Sequence, residues 1–342
     1  LAPPDPPPEN FLQILERLWW RLDRALDARS LRAAARLYIA EALLSGTTCL
    51  IDHHESPRCI EGSLEALADA CEELGMRALL GYGATERNGG REEARRGLAE
   101  CRRFALENRR PLLRGAVALH ASFTVSDDTA REAGDLCREL GVPMHAHLAE
   151  DMADVWDARE RGYDGPLERL LKLNALPVGS ILAHGVHLTR EQVRVAADHA
   201  LWLVQNPRSN QGNRVGYPKA LDESRRVALG TDGYPADMTA EAAVLREEAR
   251  THGEREEAVE RRIAAGHALA AEIFADSFAP LAAGGAADAA VFEEQGGVRH
   301  VLVGGRLVVR DGRLLSGDIG EIRAEAAREA AGLWERMRAI AG

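Results

Sequence analysis

Apolar positions along this chain keep two alternating rhythms. From Asp127 to Leu140 the residues Ala130, Ala133, Leu136 and Leu140 recur at helical spacing, and Gly141 supplies a stop signal. The next run, Val142 to Leu148, is short and strand-like. The same pairing recurs on either side. Strands are predicted at Thr47–His54, Met76–Tyr82, Leu112–Ala121, Ser180–Gly185, Ala200–Gln205 and Arg226–Thr231. Helices are predicted at Phe11–Leu26, Ala28–Leu44, Cys59–Leu74, Arg91–Glu107 and Thr189–His199, and Asp151–Leu173 reads as mostly helical.

Most of these apolar runs end in polar groups and a turn signal. Polar groups at the carboxyl ends of successive strands in a β-α repeat are what a (β/α)8 TIM-type barrel site requires, so the fold class expected is α/β. Seven strands are countable, the second to the eighth. The first is expected to precede Leu1 or to be missing from the chain.

Beyond the last barrel strand the rhythm changes. Thr239–His252 and Arg255–Phe274 read as helices. Short strands follow at Ala286–Glu293, His300–Val303 and Arg306–Arg310, the last two joined by the hairpin signal Gly304-Gly305. They predict a small β annex of the sandwich type. Ile322–Ala341 reads as a closing amphipathic helix, and the proline-rich stretch Leu1–Asn10 as a loop. The expected division is a barrel over 1–280, the annex over 281–316 and the closing helix over 317–342.

Composition narrows the class. The 342 residues suffice for one large barrel and a small annex, and their net charge of −11 argues against nucleic-acid or anionic-membrane partners. Five cysteines, an odd number with no Cys-x-x-Cys, suggest free thiols in a reducing compartment. No signal peptide and no apolar run of membrane-spanning length is present. The chain reads as soluble and cytoplasmic.

The chemistry sits at the strand exits. His145 and His147 are two apart, so they share a face of their strand, and Glu150 follows just past its end. Imidazoles with a carboxylate can bind a metal and move a proton. An isolated pair would be core histidines, but three similar exits follow: Ala183-His184-Gly185, Gln205-Asn206-Pro207 and Gly230-Thr231-Asp232. The stretch Asn206–Gly216 is expected to be a polar loop lining the cavity. His120 ends another strand and is a candidate substrate contact. At least one of His53 and His54 is expected to face the cavity mouth, while Asp52 and Glu55 read as supporting hydrogen-bond or capping groups. For Trp19 and Trp20 core packing is weighed against a lid over the site.

Taken together, His147-x-x-Glu150, Leu182-Ala183-His184-Gly185, Asn206-Pro207-Arg208-Ser209-Asn210 and Gly230-Thr231-Asp232 resemble the amidohydrolase superfamily, in its branch of metal-dependent deaminases and chlorohydrolases. The segments Trp19–Leu26, Asp52–Pro57 and Leu119–Thr124 look most like SsnA-type aminohydrolases. The resemblance implies one divalent metal, zinc or sometimes iron, with His147 and Asp232 as ligands. His184 is implied to hydrogen-bond the attacking water, with direct ligation kept open. That family's remaining ligands form a His-x-His on the first strand. No such motif precedes the second strand here, and the adjacent His53 and His54 do not match it.

On this reading Asp232 also takes a proton from the attacking water. Glu150 protonates a ring nitrogen and passes a proton to the departing amine. His120, Arg208, Asn206 and Asn210 are candidates for reading the substrate. The function expected is hydrolytic deamination of an aminated nitrogen heterocycle such as a purine or pterin. Cyclic amide hydrolysis and dechlorination of a triazine-like ring use the same site, and a metal-free binding or scaffold protein is the alternative of another class. The partner implied is a small heterocycle, with a homodimer left open.

Overall fold

The computed structural model describes residues 6–278, 282–294 and 296–340. Its frame is a parallel sheet: β1 (Cys49–His54), β2 (Arg77–Ala84), β3 (Leu113–Gly115), β4 (Val117–Ala121), β5 (Met144–Leu148), β6 (Ile181–His184), β7 (Trp202–Gln205) and β8 (Val227–Leu229). The path runs β1-β2-β4-β5-β6-β7-β8, with β3 alongside β2. Among the described residues no pairing joins β8 back to β1. All eight residues of β2 are buried, as expected of a parallel strand covered on both faces, whereas five of the six in edge strand β1 are half-exposed.

Helices alternate with the strands and carry the main core. Cys71, Phe104, Leu136 and Leu170 on four of them pack into one cluster with Leu80, Leu119 and Leu203 of the sheet. The barrel interior is a second, smaller cluster built on Leu79, Ile181, Trp202 and Ala228.

Several elements differ from the sequence reading. The strand expected over Leu112–Ala121 is split after Gly115, where a Cβ would meet the backbone of Ala105 at 3.0 Å. The helical stretch Asp151–Leu173 becomes Met152–Glu160 and Pro166–Lys172; Gly162 takes a left-handed φ of 85°, and Pro166 starts the second piece at a position where its missing N–H costs nothing. Arg255–Phe274 is likewise two helices, Glu256–Ala264 and Gly266–Phe274. The supposed loop after Asn206 contains the helix Pro207–Asn213, which buries Ser209 and Asn210 and leaves Gln211 exposed. Phe11–Ile14 and Trp20–Ala25 are joined through the π-helical turn Leu15–Trp19.

The second sheet is antiparallel: β9 (Ala289–Phe292), β10 (Val298–Val303), β11 (Arg306–Arg310) and β12 (Arg313–Leu314), ordered β12-β11-β10-β9. Gly304 and Gly305, with φ of 54° and 78°, make the hairpin turn anticipated from the sequence. Val301, Val303, Val308 and Val309 are buried in the main core, so this sheet packs directly on the barrel's helices. The boundary drawn at 280/281 and the start of the proline-rich segment lie outside the described residues. The closing helix Ile319–Ala339 lies along Ala28–Leu44. Its Arg336 donates to Ala25 O, and Met337 O and Ile340 O accept from Arg21.

Candidate active site and metal centre

Three strands deliver His147, His184 and Asp232 to one spot. One ligand atom from each lies within 4.8 Å of the other two. The backbone is bent to achieve this. Ala149, His184 and Asp232, at the exits of β5, β6 and β8, all take left-handed φ values of 49°, 75° and 50°. Such values are uncommon for residues with a Cβ and cost of order 1–3 kcal/mol each, so the surroundings must hold them.

Each imidazole is oriented by its far nitrogen. His147 Nδ1 lies 2.6 Å from His120 O, and His184 Nδ1 lies 2.9 Å from Asn210 Oδ1. Both acceptors require the hydrogen on Nδ1, which leaves both Nε2 atoms with a free lone pair. Asn206 Nδ2 lies 3.5 Å from His184 Nε2. Two nitrogen lone pairs and a carboxylate make a donor set suited to a borderline divalent ion. The residues present therefore fit the metal that the sequence reading anticipates.

His184 stands between two carboxylates. Its Nε2 is 3.6 Å from Glu150 Oε2 and 3.8 Å from Asp232 Oδ2. Burial, with the charge of Asp232 added, pushes Glu150 up to about 8. Burial also opposes ionisation of Asp232, but His184, His147 and a hydrogen bond from Ser209 Oγ outweigh it and hold that carboxyl below its usual value. Burial lowers His184, although Asp232 and Asn210 work the other way. Near neutrality the site thus holds one protonated and one ionised carboxyl group on either side of a neutral imidazole.

The remaining predicted residues divide. Asn206 and Asn210 are buried and turn to His184. Gly230 makes room for the first of them, since a Cβ there would meet Asn206 Oδ1 at 2.4 Å. His120 is buried in the wall, its Nδ1 3.0 Å from Thr124 Oγ1 and its ring 5.7 Å from that of His147. Arg208 departs from expectation. Its backbone N–H and Nε donate to buried Glu241, and its Nη2 donates to Pro235 O and Asp237 O, so the guanidinium braces the loop after β8 rather than reading a ligand. A cation seen only in sequence looks free, and its carboxylate lies on a distant helix.

Other residues belong to the site although nothing local marks them. Asn213 Nδ2 donates to Glu150 Oε1 at 3.1 Å and Ser209 to Asp232. Asp154 Oδ2 accepts from Ala149 N–H at 2.6 Å and its other oxygen from Ser122 Oγ, which pins the left-handed residue ahead of Glu150. On β1 it is His53 that turns inward, its ring 4.5 Å from that of His147, while His54 Nε2 lies 2.8 Å from Ser56 Oγ. Gly83 leaves the space for this, because a Cβ would meet His53 Nε2 at 2.4 Å and Glu55 Oε1 at 2.6 Å. The helix over 11–25 packs Phe11, Leu15, Trp19 and Trp20 against Phe123, Val186 and Val215, and so lies across loops at the barrel mouth.

The model of the amidohydrolase family matches residues 8–308. A 5'-deoxyadenosine deaminase of Methanopyrus kandleri is 28% identical over 335 residues, covering 89% of this chain and 76% of that one. A 5-methylthioadenosine/S-adenosylhomocysteine deaminase of Halothermothrix orenii is 30% identical over 253 residues, covering 72% of this chain but only 55% of the relative. Among solved structures, a zinc-bound adenosine deaminase of Xanthomonas campestris superposes with a TM-score of 0.83 at 21% identity, covering 97% of this chain and 81% of that one. An atrazine chlorohydrolase of Arthrobacter aurescens, also complexed with zinc, gives 0.77 at 19% identity, covering 94% and 82%. At these identities the superpositions show the fold.

Proposed function

The chain belongs to the amidohydrolase family, and on that premise we propose that it is a metal-dependent aminohydrolase releasing ammonia from an aminated nitrogen heterocycle. The observation that carries the reading is the geometry: His147, His184 and Asp232 converge with ligand atoms within 4.8 Å of one another, and Glu150 stands 3.6 Å from His184 on the side opposite Asp232. Hydrolysis at a ring carbon needs a proton donor for the ring nitrogen and an acceptor for the proton of the attacking water. Glu150 and Asp232 are suited to those roles without exchanging them. The names of the two deaminase relatives support an adenosine-derived substrate class.

His147 and Asp232 would hold the cation, with His184 completing the set or bonding the water. Zinc is the ion we assign. Bound there, it supplies the positive charge that brings the pKa of a water molecule to about 7. Asp232, kept ionised, accepts a proton at its carboxylate oxygen. Glu150, protonated near neutrality, donates to the ring nitrogen, then recovers a proton and delivers it to the departing amine. Asn210 keeps the hydrogen of His184 on Nδ1, so that Nε2 can accept from the attacking water. Asn213 and Asp154 keep Glu150 at its post. His120 is assigned a place in the substrate wall. The five free cysteines suit a reducing cytoplasm, and no helix among the described residues is long and apolar enough to cross a membrane.

The test is ammonia release by the zinc-loaded chain from 5'-deoxyadenosine, methylthioadenosine, S-adenosylhomocysteine, adenine, guanine and a pterin, alongside metal analysis. Turnover of at least one, dependent on bound metal, is expected. Chloride release from a chlorotriazine with no ammonia from any amine would replace this reading with the dechlorinating one.

A further inference from the structure

Arg169, on the helix Pro166–Lys172, is 0% exposed and so carries a charge with no access to water. Taking a guanidinium out of water is costly, and an apolar side chain of like volume would be cheaper unless the donors are put to use. One of them meets a carboxylate: Nε lies 2.9 Å from Asp127 Oδ1. The other two nitrogens donate to backbone carbonyls, Nη1 to Ser122 O and Nη2 to Val125 O, the latter at 2.8 Å. An ion pair alone would need neither carbonyl. The two carbonyls bracket the short turn Ser122–Thr124 that follows β4. That turn has two routes into the site, both buried. Ser122 Oγ donates to Asp154, which accepts from Ala149 N–H at 2.6 Å, in the left-handed residue just ahead of Glu150. Thr124 Oγ1 lies 3.0 Å from His120 Nδ1 and accepts from Ala121 N–H at 3.2 Å.

We propose that Arg169 is a positioning residue for the reaction. From outside the mouth it fixes the Ser122–Thr124 turn, and the turn holds Glu150 by way of Asp154 and His120 by way of Thr124. One side chain thereby sets the proton donor and the substrate wall relative to each other. The planar fork matters, because it presents its donors in fixed directions to two carbonyls and a carboxylate at once. A lysine ammonium is a point charge and cannot span them. This rests on the roles proposed for Glu150 and His120, and its first test needs no turnover.

Amide hydrogen exchange of the substrate-free protein reads the brace directly. In Arg169→Lys, which keeps the charge but not the fork, exchange is expected to rise about tenfold over 119–126 and 147–151, the worth of one hydrogen bond. It should stay at the wild-type rate in β7, which a general loss of stability would also expose. Arg169→Met, neutral and of like length, should do the same and serves if the lysine variant does not fold. In turnover, Arg169→Lys should lower kcat about 10- to 100-fold and raise KM, since small misplacements of reacting groups are costly. Each route can be cut alone: Ser122→Ala should lower kcat with KM held, and Thr124→Val should raise KM with kcat held. Arg169→Lys combined with Ser122→Ala should lose no more kcat than the worse of the two, because both act along one chain of bonds. Losses that multiply, or exchange that is unchanged in both segments or faster everywhere, overturn the proposal. Faster exchange confined to the two segments, in a protein that deaminates nothing, would keep the brace and reject the deaminase.

Discussion

The two sides of the barrel mouth are built differently. On the β5–β8 side the reacting groups are tied down through their far atoms: His147 by His120 O, His184 by Asn210, Glu150 by Asn213 and Asp232 by Ser209. On the β1–β2 side, polar atoms of Trp20, Arg21, Asp52, His53 and Arg87 are buried without partners among the described residues; on the β5–β8 side His145, His187, Gln205 and Asn210 also leave an atom unpaired, but none of the four reacting groups does. The first arrangement is what a reacting group needs, because a fixed tautomer and rotamer lower the cost of reaching the transition state. The second is what a binding surface needs, because its hydrogen bonds remain to be made. Substitutions on the first side should therefore act on kcat and on metal content, and those on the second on KM.

The largest effect is expected from Asp232→Asn. Asn cannot give the cation a negative charge or take a proton, so turnover should vanish and bound zinc should fall while the melting temperature holds. Near-normal turnover would reduce Asp232 to a turn residue. Next comes Glu150→Gln, which keeps size and hydrogen bonding but loses the transferable proton; kcat should drop about 100- to 10,000-fold with metal content intact. Loss of metal in that variant would put Glu150 among the ligands. Asn210→Ala frees the Nδ1–H of His184, and a loss of about 10- to 100-fold in activity or zinc affinity is expected. Across the mouth, Glu55→Gln should raise KM by about fivefold, one hydrogen bond's worth, with kcat little moved; a dominant fall in kcat would erase the distinction between the two sides.

The smallest effect concerns pH. Burial pushes the Asp154 carboxyl up from an ordinary 3.8 to about 6. A carboxyl whose folded pKa is raised stabilises the fold below its unfolded pKa and loses that contribution as pH rises through the folded one. Wild-type stability, measured by denaturant titration relative to Asp154→Asn, should therefore fall by about 1–3 kcal/mol between pH 4 and pH 6. A constant difference over that range would show that Asp154 is not strained in its ionised form.

What the sequence made legible follows the same division. His147 shares the inward face of β5 with His145, as strand periodicity tells, but His184 and Glu150 stand two residues after the outward Leu182 and Leu148, and it is the left-handed φ at His184 and Ala149 that turns them in. Asn206 and Asn210 were recognisable as site residues from amide density, but not as supports for an imidazole, because the helix that aims them is short and opens on Pro207. Arg208 misleads because its carboxylate, Glu241, comes from a helix beyond β8. The link from Trp20 through Arg87 to Glu55 joins three separate segments, and no local rhythm encodes contacts of that kind. The split of the 151–173 stretch was foreshadowed by Gly162 and Gly165, yet the hydrophobic pattern ran across them unbroken.

The clasp between Arg21 and the backbone at Met337 and Ile340 has a consequence for how the protein is made. The helix that crosses the mouth is synthesised 316 to 319 residues ahead of its anchor. At about 5–20 residues per second the interval is on the order of tens of seconds. Contacts this distant in sequence form late, since the loop they close carries the highest entropic cost. During that interval the strands of the barrel can assemble while the helix is still unanchored, and the nascent chain has its best opportunity to acquire an ion. If anchoring follows loading, a chain truncated before Met337 should exchange metal faster than one that carries the anchor.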